Sequence, residues 1–144
     1  PTRRSSDLND YENAVTSIKK AIEIKSDDPT LYTQLANYYT KLNKNDLAIE
    51  NYKIAYDLQP NNKVYLYNWA KACYKNKRSQ EAKPDVDNYL MGPGFLANDE
   101  ISRLLRRMYK QDKEKEKEKI KNDREEKQRK AKEIQDLEQE MFVD

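Results

Sequence analysis

A chain that repeats itself every 34 residues is not free to fold one unit at a time. Displaced by 34, Ala14-Val15 falls on Ala48-Ile49, Ile18 on Tyr52, Lys19 on Lys53, Ala21 on Ala55 and Ile24 on Leu58. One period further, Leu35 falls on Trp69, Ala36 on Ala70 and Ala48 on Ala82. A repeat of this size is a single supersecondary unit whose apolar face stays wet unless a neighbour stacks on it. The period therefore predicts a row of similar units, each buried by the next.

Each period reads as two helices. Leu31, Leu35, Tyr38, Tyr39 and Leu42 recur at spacings of three and four, the signature of an amphipathic helix. Asn43-Lys44-Asn45-Asp46 is a polar turn expected to cap the next helix, whose stripe is Leu47, Ala48, Tyr52, Ala55, Tyr56 and Leu58. Pro60-Asn61-Asn62 ends it, because proline cannot continue a helix. Asp27-Asp28-Pro29 places an acidic cap and a first-turn proline one period earlier.

Residues 29–62 resemble the tetratricopeptide repeat. The match runs Tyr32-x-x-Leu35-Ala36-x-x-Tyr39, then Ala48-x-x-x-Tyr52, then Ala55 and Pro60. Tyrosine stands for the usual first tryptophan and alanine for the usual glycine. Small residues at 36, 48 and 55 fit helices that cross closely, with aromatics filling the space between. The resemblance implies an all-α fold: a short tetratricopeptide-type α-solenoid, followed by a capping helix running into a long charged helix.

The flanks depart from the pattern. Residues 9–28 read as a partial repeat, with Asn9-Asp10 as its turn and only its second helix present. Residues 63–96 form a degenerate repeat, keeping Leu66, Trp69, Ala70 and Ala82 but placing Cys73 and Val86 in aromatic slots and Tyr89 in a small one. Pro84, five residues after the expected cap Ser79, should bend or delay that helix. Met91-Gly92-Pro93-Gly94 holds both glycines of the protein and must turn. Residues 97–109 are then expected to cap the array, with Asn98-Asp99-Glu100 starting a helix and Ile101, Leu104, Leu105, Met108 and Tyr109 as its apolar stripe. Residues 1–8 read as a leader foreign to the repeat. Thr2-Arg3-Arg4-Ser5-Ser6-Asp7-Leu8 matches a translated frame of a common sequencing adapter, so a truncated environmental-gene fragment is expected.

Residues 110–144 have different physics. Between Lys110 and Glu140 stand 11 basic and 11 acidic residues, with only Ile120, Ala131, Ile134 and Leu137 apolar. Asp123–Lys127, Glu125–Arg129 and Glu126–Lys130 place an acid four residues before a base, the favourable order on a helix. A solvated single helix or weak coiled coil is expected. Ile134, Leu137 and Met141 offer barely one heptad, enough for weak self-association through this helix at most.

Function classes narrow by elimination. The chain has no histidine, so the commonest general base and the usual triads are missing. Its one cysteine, Cys73, sits in an apolar slot and reads as core. No glycine-rich phosphate loop exists, no apolar run is long enough to span a membrane, and no cofactor is implied. A net charge of +2, with acids matching bases in the tail, lacks the footprint of a nucleic-acid binder. The expectation is a non-catalytic scaffold that binds another protein or a peptide; the alternative is the sensory or assembly portion of a larger signalling protein, with the charged helix as connector.

The resemblance implies where binding occurs, since the family holds its partners along the concave face formed by the first helix of each repeat. In this sequence that face comprises Thr30, Thr33, Gln34, Asn37 and Thr40, then Val64, Tyr67, Asn68, Lys71 and Tyr74. The expected groove is Thr33, Gln34, Asn37, Thr40, Tyr67, Asn68, Lys71 and Tyr74. Chaperone-binding members use a clamp of two asparagines and three bases. Asn37 and Asn68 fall at the asparagine positions, but Thr33, Asn98 and Ser102 stand where bases belong, so chaperone tails are not expected partners.

Overall fold

The structure is a computed structural model and describes residues 3–143. Among the described residues there are six α-helices and no strand: α1 (Arg3–Ile24), α2 (Pro29–Lys41), α3 (Asn45–Leu58), α4 (Lys63–Lys75), α5 (Ser79–Met91) and α6 (Glu100–Met141). Two compact units are present, one ending at Leu105 and the other beginning at Arg106.

In the first unit the 34-residue period reappears as backbone geometry. Asp28 caps α2, its side chain accepting from the Thr30 amide at 3.0 Å, and 34 residues on Asn62 caps α4 by accepting from the Val64 amide at 3.0 Å. The turns between paired helices repeat as well. Asn43 and Lys77, again 34 apart, both stand at φ 59, in the left-handed region. Around the first, Lys44 N–H donates to the Tyr39 carbonyl at 2.9 Å; around the second, Arg78 N–H donates to that of Cys73 at 2.8 Å. One left-handed residue thus reverses the chain and satisfies carbonyls that a helix end would leave bare.

The core follows the repeat slots. Val15, Leu35, Ala36, Tyr39 and Ala48 form one buried cluster, with Ile18, Ile22, Tyr38, Leu42 and Tyr52 packed against it. Further along, Ala55, Leu66, Trp69, Ala70, Cys73, Ala82 and Val86 are buried. The Trp69 ring stacks on Tyr56, centroids 5.4 Å apart, and the Tyr56 hydroxyl donates across to Asp85 on α5 at 3.4 Å. The alanines at 36, 48, 55, 70 and 82 are all at or below 2% exposed. They are small because no volume remains between the crossing helices.

Of the expected leader, Pro1 and Thr2 lie outside the described residues and Arg3–Leu8 are the opening turns of α1. Several expectations are corrected. Asn9-Asp10 lies inside α1 instead of in a turn; no proline or glycine stands there to break it. The N-cap positions of α3 and α5 are Lys44 and Arg78, neither with a side-chain cap bond, so Asn45, Asp46 and Ser79 are already helical. Pro84 does not delay α5, which begins at Ser79 and runs through it. Pro84 removes the ladder bond to the Gln80 carbonyl, and both residues are exposed.

The array ends on a small polar and apolar lid. Leu105 and Ser102 of α6 are fully buried, while Ile101 and Leu104 are half-buried. Asp99 accepts from the Ser102 amide at 3.0 Å and from its hydroxyl at 2.8 Å, and pairs with Lys63 at 3.1 Å. The Tyr89 hydroxyl bonds the Ser102 hydroxyl. This is why a tyrosine occupies a small slot: its ring lies where a side chain at Gly94 would otherwise go.

The second unit is the remainder of α6. Every residue from 113 to 143 is exposed, and the Glu126–Lys130 pair is closed at 3.0 Å. Residues 110–133 carry no apolar stripe, so the helix there depends on such local pairs, each worth a few tenths of a kcal/mol.

A candidate peptide-binding cleft

Helical spacing collects polar side chains on the face opposite the core. On α2, Asn37 and Thr40 stand three apart, exposed, while Leu35, Ala36 and Tyr39 are buried. On α4, Asn68, Lys71 and Lys75 repeat the same logic. These two faces, with Asn45, Ala48 and Tyr52 of α3, line a cleft of about 420 Å³ that also touches Ala72 and Asn76. A second hollow, of about 390 Å³, begins at the same Asn37 and continues along Gln34, Tyr38 and Lys41 of α2 to Ala14, Ser17 and Ile18 of α1.

Five of the eight expected groove residues line one hollow or the other: Gln34, Asn37, Thr40, Asn68 and Lys71. Thr33, Tyr67 and Tyr74 line neither. The Thr33 hydroxyl donates to the Pro29 carbonyl at 3.0 Å, and that of Thr40 to the Ala36 carbonyl at 2.9 Å, so both donors are spent within α2. Tyr67 is half-buried, with the Lys71 ammonium 5.8 Å from its ring centre. Sequence reasoning missed Tyr52, Asn45, Lys75 and Asn76. It confined the groove to first helices, and it read Tyr52 only as a core slot.

Tyr52 does both jobs. It is half-buried against the core, and its hydroxyl donates to Asn37 Oδ1. The amide oxygen is thereby engaged and the Asn37 NH₂ is left as the donor on offer. Burial pushes the Tyr52 phenol above its ordinary value, a hydrogen bond with Thr40 opposing, so it remains a protonated donor at neutral pH.

The electrostatics of the lining are one-sided. Lys41, Lys71 and Lys75 contribute three positive charges, and no aspartate or glutamate lines either hollow. The nearest acid in sequence, Asp46, is drawn off by Arg78 at 2.9 Å, which also forks onto Glu81. Nothing in the cleft is equipped as a nucleophile: burial raises the Cys73 thiol to about 11 and keeps it protonated in the core. The third-repeat clamp positions are equally unsuited, since Asn98 precedes α6 and Ser102 is sealed beneath Tyr89.

Known proteins carry the same pattern. The tetratricopeptide repeat model matches residues 5–28 and 29–62. Among solved structures, MamA AMB-1 aligns at 23% identity and a TM-score of 0.51, covering 64% of this chain and 50% of that one. The first TPR of Spaghetti (RPAP3), solved bound to the HSP90 peptide SRMEEVD, aligns at 21% identity and a TM-score of 0.54, covering 74% of this chain and 83% of that one. The chain thus spans half the length of the MamA structure. No curated protein matches it in sequence. With the period, the caps, the paired turns and the small crossing residues all in place, residues 5–62 of this chain are tetratricopeptide repeats.

Proposed function

We propose that the repeats hold an extended, acidic segment of a partner protein in the two hollows that meet at Asn37. The carrying observation is their lining: amides at Gln34, Asn37 and Asn68, cations at Lys41, Lys71 and Lys75, and no carboxylate. Amides satisfy an extended backbone, which has no internal hydrogen bonds, and the lysines select for negative side chains. The peptide bound by the RPAP3 neighbour is a precedent for the fold, not for this partner, because the bases of the chaperone clamp are missing here. The module acts by holding and not by catalysis. A second reading, that it is the sensing or assembly part of a larger signalling protein, draws on α6, whose 42 residues run unbroken and suit a connector.

The test pans a displayed library of random peptides against the full 144-residue chain and titrates a selected peptide. Enrichment of acidic sequences is expected. The triple variant Asn37→Ala, Asn68→Ala, Lys71→Glu should bind the selected peptide at least about tenfold more weakly with unchanged helicity. Equal binding by that variant refutes the cleft as the site.

A further inference from the structure

The tail is not uniformly mixed in charge. From residue 133 to 143 it carries Glu133, Asp136, Glu138 and Glu140 and no lysine or arginine, whereas bases outnumber acids from Lys110 to Lys132. The same short stretch concentrates the exposed apolar side chains of the second unit. Ile134 is 58% exposed, Leu137 59%, Met141 80% and Phe142 84%. An acidic segment that also leaves its apolar residues wet has the chemistry that the repeat cleft accepts, since its lining joins Lys71 and Lys75 to Ala48, Ala72 and Tyr52.

We propose that residues 133–143 of one copy dock in the cleft of a second copy, so that the chain associates head to tail. The inference rests on the charge selectivity of the peptide-holding reading above, and names a helical occupant for that site where an extended peptide would also fit. Glu133, Asp136 and Glu140 lie three and four apart and so share one side of α6, with Ile134, Leu137 and Met141 on the adjoining side. The acids meet Lys71 and Lys75 while the apolar side meets Ala48, Ala72 and Tyr52. A second copy is the occupant by charge complementarity: the segment carries four acids and no base, and the hollows carry three lysines and no carboxylate. Each copy carries one cleft and one segment, a heterologous contact that grows with concentration unless it closes on itself.

Sedimentation velocity of the full chain tests this at low salt. The weight-average coefficient should rise with concentration and fall back to that of the monomer near 1 M salt, where screening reaches about 3 Å. Two charge-reversed chains are then compared: Lys71→Glu with Lys75→Glu, and Glu133→Lys with Asp136→Lys, Glu138→Lys and Glu140→Lys. Each alone should associate at least about tenfold more weakly, and an equimolar mixture of the two should associate again, because reversed cleft now meets reversed segment. A wild-type chain that stays monomeric at millimolar concentration overturns the proposal. So does association that survives either reversal, or a mixture that stays monomeric. If library-selected peptides still bind the cleft in that event, the self-docking inference has failed and the peptide-holding reading has not.

Discussion

Gly94→Ala should destabilise the native chain, yet stabilise it once Tyr89 is cut back to alanine. A β-carbon at residue 94 would lie 2.5 Å from Tyr89 Cε1 and 2.8 Å from its Cδ1, well inside van der Waals contact. The ring has little freedom to retreat. Its hydroxyl is bonded to the fully buried Ser102, and the Gly94 amide donates to the Tyr89 carbonyl at 2.7 Å. Forcing one methyl into such a space costs about 1–3 kcal/mol. The backbone itself raises no objection, because neither glycine of the chain has a positive φ. Without the ring, the alanine should therefore stabilise by about 0.4–1 kcal/mol, through the lower entropy of the unfolded chain. The assay is urea unfolding followed by the fluorescence of the single tryptophan, Trp69, which is 1% exposed and reports on the repeats without interference from the tail helix. A double-mutant cycle over Tyr89→Ala and Gly94→Ala isolates the contact. Equal destabilisation by Gly94→Ala in both backgrounds would refute the reasoning.

Lys77→Gly should stabilise by about 0.5–1 kcal/mol, since lysine holds a left-handed position at φ 59 that its period-mate Asn43 fills more naturally; an unchanged or lower unfolding midpoint counts against this. Ala55→Leu, at a site 1% exposed, should cost about 1–3 kcal/mol, while Ala131→Leu on the exposed tail should stay within about 0.5 kcal/mol, and equal shifts would unseat the assigned register. The Ser102 amide first, then the Ser102 hydroxyl and Lys63, hold the Asp99 carboxyl well below the usual carboxylate range. A depressed carboxyl stabilises the fold above its unfolded value near about 4, and that contribution drains as pH falls below it. Asp99→Asn should flatten the pH dependence of the Trp69 unfolding midpoint between about pH 5 and 2, and a superimposable profile would exclude the role. A peptide of residues 110–144 should be monomeric and partly helical by circular dichroism, losing helicity near 1 M salt as its charge pairs are screened; helicity that rises with concentration would mark a coiled coil instead.

The sequence by itself determined the repeat. A 34-residue period is written in residue sizes, small at 36, 48, 55, 70 and 82 and aromatic between, and size at a crossing point is a local property that survives into the fold as near-complete burial. The Asp28 cap, the stop at Pro60 and the Asp99 start were legible for the same reason, since each depends on neighbours within three residues. What sequence could not decide were matters settled across the chain. Asn9-Asp10 looks like a turn by analogy with Asn43–Asp46, but the left-handed backbone that reverses the chain at Asn43 is not adopted there, and α1 runs straight through. Half of the cleft was hidden likewise: Tyr52 satisfies the pattern of a core residue, and only the approach of α2 to α3 turns its hydroxyl onto Asn37. The left-handed Lys77 and the Tyr89 ring over Gly94 belong to the same class, since a residue with poor intrinsic preference is held by tertiary contacts that outweigh it. Periodicity reports which side of a helix is buried; which helices meet across the polar side, and what their side chains reach there, is set only when the units stack.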